Sequence, residues 1–181
     1  INLPYGREDY YVYTPPGYDP QSSTRYPVLY LLHGYKQYAS WLPTQGDAQI
    51  ILDRLIAQNK ARPMIVVMPQ GYGNYRFLLE GEKNWAFHDL IEQNDSLFSR
   101  MLLTEIIPQV ESEYKVSTKR EDRAIAGLSM GGREAITIGL EYPGRFAWIG
   151  GFSAAFPEGL PHFERKRAAA IDSERADLRL L

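Results

Sequence analysis

Cysteine is absent from this chain of 181 residues. That absence excludes disulfides, a thiolate nucleophile and cysteine-bound metals, and it leaves the compartment open. Histidine is scarce: His33, His88 and His162 are the three in the chain. Charge of one sign is missing too, with 20 Lys and Arg against 22 Asp and Glu and a net charge of -2. A chain so balanced has no electrostatic footprint for nucleic acid or an anionic membrane, so neither partner is expected. No apolar run approaches the roughly 20 residues of a membrane span. Internal repeats and low-complexity tracts are also lacking, and no metal site is expected.

What is present is the composition of a globular protein, 44% hydrophobic and 23% charged, at a length that suits one domain, 1–181, with a sizeable core. Tyr10–Tyr13 (YYVY) reads as a strand that stops at Pro15-Pro16-Gly17. Val28–Leu32 (VLYLL) and 64–68 (MIVVM) are continuous apolar runs, the pattern of parallel strands buried on both faces. Residues 46–59 place Ala48, Ile51, Leu52 and Leu55 at helical spacing. The stretch 70–95 mixes Gly, Asn and aromatics without clear period and reads as a long loop. Ser96 then stands as a cap before a helix carrying Leu102, Ile106 and Val110, with a kink or break expected at Pro108. A strand at 122–127, a helix at 130–142 and a strand at 146–152 follow. A solvated helix is expected near 164–170, and 178–181 reads as the opening of a further strand. Strands alternating with helices imply an α/β fold, a mainly parallel sheet with helices on both faces.

Gly127-Leu128-Ser129-Met130-Gly131 matches G-x-S-x-G. The pattern alone is weak; its position between a buried strand and a helix gives it weight, because a nucleophile elbow needs that context. Small residues at 127 and 131 relieve the crowding of a strained turn. The helix that follows directs its positive end at a developing oxyanion. Acyl transfer needs two oxyanion donors. The N–H of Met130 is one candidate. The other belongs on the loop after VLYLL, where the N–H of Tyr35, ahead of that of Gly34, is expected to serve. His33 precedes the nucleophile at a strand end and is expected to hold the loop rather than act as base. Trp41, Trp85 and His88 are candidates for lining a substrate pocket, with packing as the alternative. The same choice applies to Tyr72, Tyr75, Phe77 and Phe87, whose rings would stack on an aryl acyl group.

The stretches YYVYTPPGYDP, RYPVLYLLHG, ARPMIVVMPQG, EIIPQVESEYKVSTKREDRAIAGLSMGG and FAWIGGFSAAF resemble the esterase D-like family of α/β-hydrolases. Within it they are most similar to the feruloyl and acetyl-xylan esterase branch, in matching order from about Tyr10 to Phe156. The resemblance implies the α/β-hydrolase fold and ester hydrolysis through an acyl-serine at Ser129. It also implies no cofactor, a small-molecule or polysaccharide ester as substrate, and a secreted or periplasmic location. Such enzymes carry the triad Asp and His well downstream of the nucleophile, and Leu181 ends the sequence 52 residues after Ser129. His162, with Glu158, Asp172 and Asp177 near it, comes too soon after the last strand to match the family's base, so no triad Asp or His is identified. The expectation is therefore a fold lacking its C-terminal strands, with Leu178, Leu180 and Leu181 at an unpaired edge open to self-association. The same elbow suits an acyltransferase or S-formylglutathione hydrolase, and a carbohydrate-binding or interaction domain that kept the elbow without catalysis is the reading from another class.

Overall fold

The computed structural model describes residues 2–3, 6–7, 10–80, 87–156 and 179–180. Eight strands appear among them. β1 (Asn2–Leu3) and β2 (Gly6–Arg7) form a small antiparallel pair. The other six, β3 (Tyr10–Tyr13), β4 (Val28–Leu32), β5 (Ile65–Pro69), β6 (Arg123–Leu128), β7 (Trp148–Phe152) and β8 (Arg179–Leu180), make one sheet in the order β3-β5-β4-β6-β7-β8. β3 runs antiparallel to β5 and the remaining pairs are parallel. The strand expected to open near 178 therefore does form, pairing Leu180 with Ile149 of β7. The helix expected at 164–170 lies outside the described residues.

Both sheet faces are covered, as alternation along the buried strands dictates. Val28, Tyr30, Leu32, Ile65 and Val67 share a core with Phe98, Met101, Leu102, Ile107, Val110, Ala135 and Ile138. Their neighbours Leu29, Leu31, Val66 and Met68 point the other way, onto Leu42, Ala48, Leu52 and Ile56. Those last four belong to α1 (Trp41–Thr44) and α2 (Ala48–Ala57).

Residues 70–95 are not one long loop. They hold α3 (Tyr75–Glu80) and the first part of α4 (Phe87–Met101), so Ser96 lies inside α4 and caps nothing. The expected break at Pro108 takes a specific form: a π-helical turn over Leu102–Ile106 precedes α5 (Ile107–Glu113), whose second residue is Pro108. Widening the ladder just before proline absorbs its missing N–H without ending the helical path. The strand read at 122–127 is displaced by one residue because Arg120–Asp122 forms a 3₁₀ turn. α6 (Met130–Glu141) follows β6 after a single residue, Ser129.

Chain order fixes where a ligand can bind. From β4 the chain crosses to β5 on one side, while β6 and then β7 lie on the other. Such a reversal opens a crevice at the carboxyl ends of the two strands that flank it, β4 and β6. Register places Leu32 opposite Gly127, so the residues that leave these strands, His33-Gly34-Tyr35 and Ser129, emerge side by side.

Candidate active site

Ser129 sits at φ 56 and ψ -112, a combination rare for a residue with a side chain. Three backbone bonds hold it there. Its N–H donates to the Phe152 carbonyl at 2.9 Å, and its own carbonyl accepts from Arg133 N–H at 3.0 Å and Ala155 N–H at 3.1 Å. The strain is thus imposed by β7 and its exit as much as by α6. The two motif glycines show why side chains are excluded: a Cβ on Gly127 would lie 2.4 Å from the Gly131 backbone, and one on Gly131 would lie 2.6 Å from both the Leu32 and the His33 carbonyl oxygens. Small residues here let α6 start in direct contact with the end of β4.

The loop after β4 is tied down at every residue. His33 is fully buried. Its Nδ1 lies 2.8 Å from the Gly34 carbonyl and its Nε2 accepts from Gly71 N–H at 3.0 Å. That pairing requires the proton on Nδ1, and burial holds the ring's pKa below its usual value. With both nitrogens engaged, His33 is a strut between the loops after β4 and β5, as the sequence predicts. Gly34 N–H donates to Gln37 Oε1 at 2.7 Å, and its carbonyl also accepts from Gln37 N–H at 3.1 Å. Gly34 is thereby spent on the turn itself, which leaves the Tyr35 N–H as the candidate donor of this loop. Gln70 adds a further tie, its Oε1 accepting from Ala39 N–H at 2.7 Å.

Tyr72 and Phe77 are buried, and with Leu90, Ile91 and Met130 they make a small core under the site. Tyr35 joins it: its hydroxyl donates to the Phe77 carbonyl at 3.2 Å and the two rings lie 5.0 Å apart. Trp41, at the start of α1, is partly buried against the core that α1 and α2 share with β5. His88 is exposed in the first turn of α4. Trp85, His162, Glu158, Asp172 and Asp177 lie outside the described residues. Among the described residues, no imidazole or carboxylate is bonded to Ser129 Oγ, and no group of three or more metal-ligating side chains occurs.

One group escapes the sequence reading. Glu134, on the second turn of α6, is fully buried. Its Oε1 accepts from Asn94 Nδ2 at 3.0 Å, and its Oε2 has no hydrogen-bond partner among the described residues. Burial, reinforced by the nearby Asp95 charge and only partly opposed by Arg133 and the Asn94 bond, pushes its carboxyl well above the usual carboxylate range. Asp95 itself pairs with the buried Arg133 at 3.1 Å. The available signal was weak: Arg133-Glu134 lies in a helix whose other residues, up to Glu141 at its end, are small or apolar, so a charged pair there had no obvious solvent face to occupy.

Sheet order, the helices on both faces and the strained serine between β6 and α6 define the α/β-hydrolase fold, and solved structures agree. A ferulic acid esterase aligns at 32% identity with a TM-score of 0.67, over 82% of this chain and 53% of that one. A ferulic acid esterase of Anaeromyces mucronatus, solved in complex with ferulic acid, aligns at 27% identity and TM-score 0.71, over 86% and 55%. The chain belongs to the Esterase family, described as "Putative esterase", whose pattern matches residues 6–177. Among characterised relatives, an endo-1,4-beta-xylanase/feruloyl esterase of Xylanibacter ruminicola is 37% identical over 142 residues, 77% of this chain and 18% of that protein. The chain thus spans about half the length of the solved structures and less of this multifunctional relative.

Proposed function

We propose that this chain carries the nucleophile and oxyanion hole of a serine carboxylic ester hydrolase acting on feruloyl or acetyl esters of plant cell-wall polysaccharide. The observation that carries the reading is the Ser129 elbow, with its rare backbone angles held by three backbone bonds and the Gly34 turn packed against its base. Ser129 Oγ attacks the acyl carbonyl and passes its proton to a general base that lies outside the described residues. The carbonyl oxygen, now an oxyanion, accepts from the N–H groups of Met130 and Tyr35. Collapse expels the alcohol, which takes the proton back from the base, and water then releases the acid by the same route. The first partial charge the oxyanion meets is that of the α6 N-terminus. The named activities of the relatives support the acyl group: a feruloyl esterase activity in the Xylanibacter ruminicola protein, and an acetyl esterase of Caldicellulosiruptor saccharolyticus at 33% identity over 71% of this chain.

Hydrolysis of methyl ferulate and 4-nitrophenyl acetate by the full-length protein tests this reading. Turnover of both, with the larger kcat/KM on the ferulate ester, is expected. A folded protein that hydrolyses neither overturns the assignment, and one that prefers the acetate moves the substrate to the acetyl class.

A further inference from the structure

The two oxyanion donors sit on separate elements, Met130 at the start of α6 and Tyr35 on the loop after β4. Hydrogen-bond distances connect them by a second route, behind the site. Met130 and Glu134 are one helical turn apart on α6. Glu134 Oε1 accepts from Asn94 Nδ2 at 3.0 Å. The same Asn94 amide donates to the Gly71 carbonyl at 3.3 Å, and its Oδ1 accepts from Asn74 N–H at 3.2 Å. Gly71 N–H donates to His33 Nε2 at 3.0 Å, and His33 Nδ1 donates to the Gly34 carbonyl at 2.8 Å. The next residue is Tyr35. Gly71 is wedged from the α6 side as well, since a Cβ there would lie 3.2 Å from Glu134 Oε2 and 3.3 Å from Met130 Cε.

We infer that Glu134 and Asn94 are positioning residues for ester hydrolysis, part of a hydrogen-bonded chain Glu134–Asn94–Gly71–His33–Gly34 that sets the separation of the Met130 and Tyr35 N–H groups. This rests on the serine-hydrolase reading above. Two features favour positioning over mere core filling. Asn94 spends both amide hydrogens and its oxygen, tying α4 to Glu134 of α6 and to both Gly71 and Asn74 of the loop between β5 and α3. Burial also favours the uncharged forms of Glu134 and His33. The groups facing Glu134 from packed elements are Asp95 and Asn94 on α4, Arg133 on its own helix and Tyr72 beside the loop after β5; Asp95 and Arg133 neutralise one another. A neutral acid at 134 accepts one hydrogen bond and places no net charge behind an oxyanion that forms and disappears with each turnover. A fixed chain of this kind keeps the two donors preorganised.

The test uses the full-length protein with Glu134→Gln, Glu134→Leu, Asn94→Ala and, as reference, Ser129→Ala. Glu134→Gln keeps a neutral acceptor oxygen and is expected to hold kcat and affinity for an aryl boronic acid, a tetrahedral mimic, near wild type. Glu134→Leu and Asn94→Ala break the chain. Each is expected to lower kcat and boronate affinity together by about 10- to 100-fold, the scale of a misplaced catalytic group, with KM little changed. A purely structural role would lower Tm and leave kcat and boronate affinity of the folded fraction at wild-type values; that result overturns the inference. So does a Glu134→Gln variant as impaired as Glu134→Leu, since the acceptor oxygen would then not be what matters. Should Glu134→Leu or Asn94→Ala fail to fold, Asn94→Asp in the same assays decides: it retains volume and the Oδ1 acceptor but loses both donors, so wild-type kcat there also overturns the inference. Residual turnover by Ser129→Ala at the wild-type rate sinks the serine reading itself, an outcome separate from all of these.

Discussion

Gly131 and His33 meet backbone to backbone: a methyl group placed on Gly131 would lie 2.6 Å from the His33 carbonyl oxygen. The contact joins the first turn of α6, next to the proposed nucleophile Ser129, to the loop that carries the proposed second oxyanion donor. Both partners are main chain, so neither can swing aside as a side-chain tip would.

Gly131→Ala is therefore expected to force the two elements apart. Overpacking of a tight site costs about 1–3 kcal/mol, and a displaced donor costs on the order of 10²-fold in rate. Denaturant unfolding should show the stability loss, and steady-state kinetics a fall in kcat larger than any change in KM. Wild-type kcat in this variant would mean that the contact does not position the loop.

The Tyr35 N–H is the proposed second oxyanion donor and its ring packs against Phe77, and the two roles separate by substitution. Tyr35→Pro deletes the N–H and should lower kcat by about 10²–10³, the cost of one oxyanion donor. Tyr35→Ala keeps the N–H but loses the ring contact and the hydroxyl bond. It should lose stability, by about 2 kcal/mol or more for so large a truncation, while keeping more of its kcat than the proline variant. Equal kcat in the two variants would remove Tyr35 N–H from the oxyanion hole.

Glu134 gives the protein a pH signature. Its folded pKa is raised, so the folded state holds a proton that the unfolded state releases in the usual carboxylate range. Stability from this group is fully present below the unfolded pKa, near 4.3–4.5, and is lost as pH rises from there through the folded pKa. Glu134→Gln has no such proton to lose. The stability difference, variant minus wild type, should then grow with pH by up to about 1.4 kcal/mol per unit until the folded pKa is passed. Thermal unfolding at a series of pH values from 5 to 8 measures it. A difference independent of pH over that range would show that Glu134 ionises normally in the fold.

The parts of this architecture legible in the sequence are those whose burial is complete and apolar. VLYLL and MIVVM have no polar residue to blur the pattern, and their strands lie within one residue of where the runs place them. The elbow is legible for the opposite reason: three glycines around one serine have few other uses. The first part of α4 is not legible because its buried side is not apolar throughout. Leu90, Ile91, Phe98 and Met101 recur at helical spacing, but Asn94 and Ser99 are buried among them, and Asn94 is the residue that ties three elements together. Glu134 stayed hidden likewise, since a glutamate on a helix normally faces water. The tertiary network that hides these residues from a periodicity argument is the same network that braces the site.

The central claim is that Ser129 is the nucleophile, and the most direct measurement is turnover of an aryl ester by Ser129→Ala beside the wild type, both in the full-length protein, with the fold checked by circular dichroism. Covalent catalysis has no substitute for the attacking oxygen, so kcat should fall by about 10⁴–10⁶, the range seen when a serine hydrolase loses its triad, and an unaltered spectrum should accompany the loss. A Ser129→Ala protein that turns over the ester at the wild-type rate would contradict the account.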